Sequence, residues 1–245
     1  MNVLELLVSG EKVAMNSDAE FDQYADDYDD ALAHSISVSG EDKEFFAQGR
    51  IEWLKRGLQK ALGIPGTVMD FGCGTGSAVP LLLNVLGAKS VMGVDVSPRL
   101  QALATQNYGG DRVRFLLFDE HQQNEPVDLV FSNGTFHHIR PIERVAAVNY
   151  IHRSLRPGGL FALWENNPWN PATRYLMSRC AFDKNACYLS AIEARRLVQT
   201  AGFEVLSTEF LFIFPRALRW FRPVEPHISR LPLGAQYQVL CRKRI

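Results

Sequence analysis

The sequence predicts an α/β protein built on a doubly wound, mostly parallel sheet of seven strands, the last of them antiparallel. Short apolar runs rich in Val, Leu and Phe alternate with helical stretches from residue 67 onwards, which is typical of βαβ units whose helices cover both sheet faces. Two later strand-like runs, 203–214 and 236–242, have no helix of ordinary length between them. Their proximity suggests an antiparallel pair at the end of the sheet.

The elements follow one another in a regular order. An amphipathic helix is predicted over Glu41–Leu62, where apolar residues recur at three- to four-residue steps until Gly63. Five parallel strands are predicted at Thr67–Phe71, Ser90–Val96, Val113–Phe118, Val127–Ser132 and Leu160–Glu165. Further helices are predicted at Ser77–Leu86, Pro98–Gln106, Ile142–Leu155 and Ala191–Ala201. The connection from Asp119 to Pro126 is too short for a normal helix, so we expect a loop there.

Composition excludes several classes of protein. With 26 Lys and Arg against 27 Asp and Glu, the chain lacks the basic excess of a dedicated nucleic-acid binder. No apolar run approaches the roughly 20 residues that span a bilayer, and the first residues lack the basic region of a secretory signal. We therefore expect a cytoplasmic protein. The four cysteines lack zinc-site spacing, so no metal is expected.

The most informative segment joins the first strand to the next helix. Residues 68–77 carry glycines at Gly72, Gly74 and Gly76, which permit positive φ and close approach of backbone N–H groups to a ligand. A tight turn without a ligand is the alternative. Asp95 ends the second strand 19 positions after Gly76. Adjacent strand ends lie side by side, so this carboxylate can accept hydrogen bonds from both hydroxyls of a ribose.

Two ligands fit this arrangement, a dinucleotide and S-adenosylmethionine. The dinucleotide fingerprint G-x-G-x-x-G would place its third glycine at Ser77, whereas the chain has G-x-G-x-G. The spacing therefore disfavours an NAD(P)-dependent oxidoreductase, as does the absence of a Tyr-x-x-x-Lys pair. A non-catalytic cofactor-binding module is the other alternative.

The motifs resemble those of the class I S-adenosylmethionine-dependent methyltransferases, which have a Rossmann-like fold. Asp70 and the glycines match the family's first motif, and Leu155–Gly159 matches the L-x-P-G-G turn before its fifth strand. Residues 21–29 look like the F-D-x-x-A-x-x-Y-D segment of the small-molecule branch that includes ubiquinone-biosynthesis-type enzymes. We expect a lid or entry segment over residues 1–40. One domain over 41–245 would follow, with substrate-side insertions near 165–190 and 214–234.

The resemblance implies a set of cofactor contacts. Asp70 would help to orient the methionyl ammonium, Asp95 would hold the ribose, and Val96 would lie against the adenine. Asp119 would accept from the adenine amino group, with Glu120 as a neighbour. The glycines would allow close backbone approach. The further cofactor-side residues that the resemblance implies are Tyr28 and Asn133.

The reaction centre is expected after the fourth strand, at His137 and His138. Methyl transfer from a sulfonium needs mainly positioning and exclusion of water. A hydroxyl acceptor must still lose its proton, and imidazole is a suitable base. His137 is predicted to be that base or to orient the acceptor, with His138 behind it. Capping of the next helix is the alternative for both residues.

Two insertions are expected to border the acceptor. After the fifth strand, Glu165 and Asn166 would hydrogen-bond the acceptor and Trp169 would form a wall of its pocket; a Pro-stiffened turn is the alternative. Between Pro215 and Pro223, arginines at every third residue would share one side of a short helix. This element is predicted to cover a partly apolar small-molecule acceptor, with weak lipid contact as a secondary role. A core-packing helix with a solvated arginine face is the alternative.

Overall fold

A seven-stranded sheet organises the computed structural model, which describes residues 40–61, 63–179 and 186–244. The strands are β1 (Thr67–Phe71), β2 (Ser90–Asp95), β3 (Val113–Leu117), β4 (Val127–Asn133), β5 (Leu155–Asn166), β6 (Phe203–Leu211) and β7 (Gln236–Lys243). Their order is β3-β2-β1-β4-β5-β7-β6. The first five are parallel, and β7 is antiparallel to both of its neighbours. The predicted fold class is confirmed.

Helices connect the strands and cover both faces. They are α1 (Lys43–Ala61), α2 (Val79–Leu81) with a π-helical turn (Leu82–Leu86), α3 (Pro98–Tyr108), α4 (Arg144–Ser154), α5 (Pro171–Arg179), α6 (Ala191–Thr200), a 3₁₀-helix (Arg216–Val224) and α7 (Glu225–Ile228). Side-chain caps stabilise the N-termini of α3 and α6. Ser97 accepts from the Leu100 N–H, and Ser190 forms a capping box with Glu193.

Two apolar clusters lie on opposite sides of the sheet. Alternate residues of each strand point to opposite faces, so Met69 joins one cluster and Val68 the other. The first cluster packs against α4 and α6, and the second against Ile51, Leu54 and Leu58 of α1. This layering explains why the strands are apolar almost throughout.

Several elements differ from their predicted bounds. The predicted turn Leu155–Gly159 lies inside β5, where a register shift opposite Val127 and Leu129 accommodates it and Gly158 takes φ +74°. The helix α5 was not predicted. It follows Asn170, whose side chain accepts from the Thr173 N–H. β6 ends three residues early, because Phe212 has φ +62°.

The carboxyl ends of β1, β2 and β4 meet at one edge of the sheet. β1 pairs with β2 on one side and β4 on the other, so the chain order reverses here and leaves the crevice in which open α/β sheets bind ligands. The link from β3 to β4 is a loop, as predicted. In the described ranges no helix is long and apolar enough to cross a membrane.

Candidate active site

The glycine turn after β1 is held against β2 by its backbone. The Gly72 N–H donates to the Val94 carbonyl at 2.8 Å. A Cβ added at Gly72, where φ is +72°, would lie 2.4 Å from the Thr135 side chain. A side chain is therefore excluded at this position. At Gly74, where φ is +53°, a Cβ would meet nothing within 4 Å, so the backbone there borders open space.

Asp95 is tied to this turn. Its two carboxylate oxygens accept from the Gly74 N–H at 2.8 Å and from the Ser97 N–H at 3.0 Å. A carboxylate has about four acceptor sites in all. The side chain is thus fixed in position beside the glycine turn and next to Val96, both of which line the cleft.

Asp70 lies deeper, and its environment disfavours its charge. The carboxyl is almost fully buried and makes no hydrogen bond to another described residue. Burial, and secondarily the negative charge of Asp95, raise the pKa of Asp70 to about 7. A cation entering the cleft would relieve both effects. This buried carboxyl without a partner fits the methionyl ammonium of S-adenosylmethionine.

The cleft encloses about 730 Å³ of empty space, its open mouth included. The predicted residues that line it are Gly72, Gly74, Asp95, Val96, Asn133 and His138. Sequence reasoning missed its apolar and hydroxyl-bearing lining, which is Phe71, Val94, Leu100, Phe118, Thr135 and Ile139. Phe118 follows β3 directly and stacks on Tyr150 at 4.2 Å between ring centroids. Its position after a strand end is the signal that could have found it.

Other predicted cofactor residues lie outside the lining. Gly76 is closed off, because a Cβ there would lie 2.8 Å from the Phe115 ring. Asp119 and Glu120 are exposed, and Glu120 accepts from the Leu117 N–H at 2.9 Å. Tyr28 lies outside the described residues.

The two histidines occupy the reverse of their expected places. His138 lines the cleft, whereas His137 is 4% exposed and is not part of the lining. The Nδ1 atom of His137 lies 2.7 Å from Oε2 of Glu165. Oε1 of Glu165 accepts from the Phe136 N–H at 2.7 Å. Glu165, expected to contact the acceptor, is buried and holds the loop after β4 instead.

A buried arginine strengthens this loop, and sequence reasoning did not single it out. Arg144 Nε donates to the carbonyls of Phe136 and Ile139 at 3.1 and 3.0 Å, and Nη2 donates to the Cys187 carbonyl. The Cys187 N–H in turn donates to the His137 carbonyl at 2.8 Å. The loop that presents His138 is therefore fixed from several sides.

Asn166 and Trp169 follow β5 on the other side of the edge. Oδ1 of Asn166 accepts from Gln236 Nε2 at 3.3 Å, and Gln236 Oε1 accepts from Arg50 at 3.0 Å. Trp169 is 46% exposed, and its ring stacks at 6.3 Å from that of Phe210. Both residues lie outside the lining of the cofactor cleft.

A second cavity, of about 780 Å³ including open space, lies at the same edge between α1, α5 and the segment after β6. Its walls are mainly apolar and include Phe45, Phe46, Leu176, Phe212 and Phe214. Among the described residues, no group of three His, Cys, Asp or Glu could hold a metal ion.

Comparisons with known proteins agree with this geometry. Residues 68–159 match the methyltransferase domain family. The chain is 32% identical to a trans-aconitate 2-methyltransferase of Methylobacterium nodulans over 55% of this chain and 52% of that one. It is 31% identical to a malonyl-[acyl-carrier protein] O-methyltransferase of Acetivibrio thermocellus over 39% of this chain and 34% of that one. The chain thus spans about half or less of the length of these curated relatives.

The fold is shared with solved structures. One such structure is the complex of the Haloferax volcanii Trm112 methyltransferase activator with a methyltransferase. The similarity covers 92% of this chain and 98% of the matched chain of the complex, with a TM-score of 0.62 and 21% identity. The glycine turn, the acid after β2 and the strand order thus occur together with matches in sequence and in fold. Residues 68–159 thus match a methyltransferase domain in sequence, and the chain shares the fold of a solved S-adenosylmethionine-dependent methyltransferase.

Proposed function

We propose that this protein transfers the methyl group of S-adenosylmethionine to an oxygen of a partly apolar small molecule. The observation that carries the proposal is the pairing of a nucleoside-type cleft with an imidazole, His138, in its wall. When bound, S-adenosylmethionine supplies a methyl group on a positively charged sulfur. The chain itself has to bind that group, exclude water and remove a proton from the acceptor.

Cofactor binding is assigned to the turns after β1, β2 and β4. Asp95 would accept from the ribose hydroxyls, because its oxygens are already fixed by Gly74 and Ser97. Asp70 would face the ammonium, whose positive charge offsets the cost of its burial. The apolar side chains of Val96 and Phe118 would border the adenine.

His138 would take the acceptor's proton. It lines the cleft, and its ring centroid lies 4.1 Å from that of the buried His137. A neutral imidazole near physiological pH can accept a hydroxyl proton as the oxygen bonds to the methyl carbon. His137 and Glu165 would act as positioning residues, because their contacts fix the loop from which His138 projects.

The second cavity would hold the apolar part of the acceptor. It lies at the same sheet edge as the cofactor cleft, and the segment after β6 forms one of its walls. This placement supports the proposed cover over the acceptor. The names of the two relatives point to acids as acceptors of those proteins, and a carboxylate oxygen needs no base at neutral pH.

Labelled S-adenosylmethionine incubated with the full chain and a low-molecular-weight cell fraction tests the proposal. We expect a labelled small-molecule ester or ether, and no labelled product would contradict the proposal. With that product in hand, the turnover of His138→Ala should fall by about 10²- to 10⁴-fold at unchanged S-adenosylhomocysteine affinity. A loss of tenfold or less would contradict the role of His138 as the base, and it would indicate that the acceptor binds as a carboxylate.

Two variants complete the design. His227→Ala removes an exposed histidine that lines neither cavity and should leave turnover unchanged. Glu165→Gln keeps the shape of the side chain but weakens its hold on His137. We expect it to lower turnover less than His138→Ala does, with the pH profile unchanged, because the group that titrates is still present. A shifted pH profile in this variant would assign the proton transfer to the buried pair instead.

A further inference from the structure

The segment between β6 and β7, residues 212–235, exposes an unusual number of apolar side chains. Thirteen large hydrophobic residues are exposed in the described ranges, and six of them lie between 218 and 233. These six are Leu218, Trp220, Phe221, Val224, Leu231 and Leu233, with exposed fractions from 40% to 67%. The 3₁₀-helix in this segment has no buried residue. Exposed apolar side chains concentrated in one segment of a folded surface indicate a binding face, which we call the apolar patch.

The same segment is strongly basic within a chain whose net charge is −1. It contains four arginines and a single acid, Glu225. That acid is turned inward, because its Oε1 accepts from the Phe214 N–H at 2.9 Å. Arg219 and Arg230 are exposed, and their guanidinium groups make no hydrogen bond or ion pair with another described residue. The segment therefore presents positive charge to solvent together with its exposed apolar side chains.

Arg216 and Arg222 anchor the segment. Arg222 Nη2 lies 2.7 Å from Glu41, and its guanidinium lies 4.4 Å from the centroid of the Phe45 ring. Arg216 Nη1 donates to the Gly40 carbonyl at 3.2 Å. With these two arginines bound to the region around α1, Trp220 and Phe221 stay on the outer side. The apolar face is thus held outward and does not fold onto the core.

We propose that residues 216–233 dock on an anionic lipid surface. Trp and Phe with apolar neighbours enter the boundary between headgroups and acyl chains, and arginines beside them bind phosphate headgroups. A neutral protein partner would match the apolar side chains but not the basic charge. The proposal is independent of the methyl acceptor and of the reaction.

Sedimentation of the full chain with vesicles tests this docking. We expect binding to vesicles of phosphatidylglycerol and phosphatidylcholine, much weaker binding to phosphatidylcholine alone, and release at high salt. The double variant Trp220→Ser, Phe221→Ser should bind about tenfold more weakly. The double variant Arg219→Glu, Arg230→Glu should bind anionic vesicles about tenfold more weakly. It should also lose the preference for anionic over neutral vesicles.

A matched control pair lies on the outer face of α6, where Ile192 and Arg196 are exposed. Ile192→Ser and Arg196→Glu together should leave vesicle binding unchanged. Far-ultraviolet circular dichroism establishes that each variant is folded. The proposal is overturned if the unmodified chain stays in the supernatant, if either patch variant binds like the unmodified chain, or if the control pair loses as much binding. Concentration-dependent self-association through the patch without vesicle binding would likewise overturn it.

Discussion

The carboxyl edge of the sheet carries two regions that are built in different ways. The turns after β1, β2 and β4 are short and mostly buried or half-buried, and their backbone N–H groups are held by hydrogen bonds, as at Gly72 and beside Asp95. The segments after β5 and β6 are longer, and their side chains, such as Trp169 and Trp220, face solvent. A nucleoside of constant shape suits the first construction. An acceptor that differs between enzymes suits the second, in which side chains can change without disturbing the backbone.

The largest effect is expected from Asp95→Ala, which tests whether the first region binds the cofactor. Removing an acceptor of charged hydrogen bonds should cost about 1.5 to 3 kcal/mol, which weakens S-adenosylhomocysteine binding tenfold to a hundredfold. Titration calorimetry measures it. Asp111→Ala, which removes an exposed acid outside the cleft, should change nothing. An unaltered affinity in Asp95→Ala would remove this acid from the cofactor site.

Gly72→Ala tests whether the backbone defines the first region. A side chain at φ +72° costs about 1 to 2 kcal/mol, and overlap with Thr135 adds to it. We expect the free energy of unfolding to fall by about 2 kcal/mol or more in denaturant titrations. Gly110→Ala is the matched control, because a Cβ there meets nothing within 4 Å. Equal stability of the two variants would contradict the close approach of the Thr135 side chain to Gly72.

The raised pKa of Asp70 predicts that cofactor affinity depends on pH. Its pKa of about 7 in the free protein should fall when the ammonium binds, so binding releases a proton. Affinity for S-adenosylhomocysteine should rise by about tenfold from pH 6 to pH 8 and then level off. Calorimetry across this range checks it, and Asp70→Asn should abolish the dependence. An affinity that declines with pH over this range would contradict the assignment.

The stability of the free protein should fall with rising pH, whereas the affinity for S-adenosylhomocysteine should rise. The folded chain keeps the Asp70 proton up to about pH 7, whereas the unfolded chain loses it near the ordinary value of 3.8. The folded state binds more protons between these values, so this carboxyl lowers stability as pH rises from about 4 to about 7. Thermal unfolding should therefore show Asp70→Asn to be more stable than the unmodified chain at pH 8. A less stable variant at that pH would count against the buried charge.

The smallest effect is expected on the second region. Trp169→Ala removes a half-exposed ring next to Asn170, which lines the second cavity, so the KM for the acceptor should rise about threefold. Affinity for S-adenosylhomocysteine should not change. Steady-state kinetics and calorimetry separate the two, with Ile64→Ala as an exposed apolar control at the opposite end of β1. An unchanged KM would place Trp169 outside the acceptor pocket.

The two regions also differ in how far the sequence predicts them. The mostly parallel sheet with its antiparallel last strand and the positions of Gly72 and Asp95 could be predicted, because strand periodicity, glycine spacing and strand-end acids reflect backbone geometry. The orientations of His137 and His138 could not. In an irregular loop no fixed period relates neighbouring residues, so the sequence cannot tell which ring faces the cleft. Contacts with Glu165 and Arg144, distant in sequence, decide it.

The position of β7 in the sheet has a consequence for synthesis. This strand follows the other six strands of the described sheet along the chain, yet it lies between β5 and β6. Until residue 243 has left the ribosome, β6 lacks its sheet partner and β5 has an open edge in the part of the sheet described. Unpaired edges invite pairing with other chains. The nascent protein should thus bind chaperones until β7 emerges, even though the turns after β1, β2 and β4 are made much earlier.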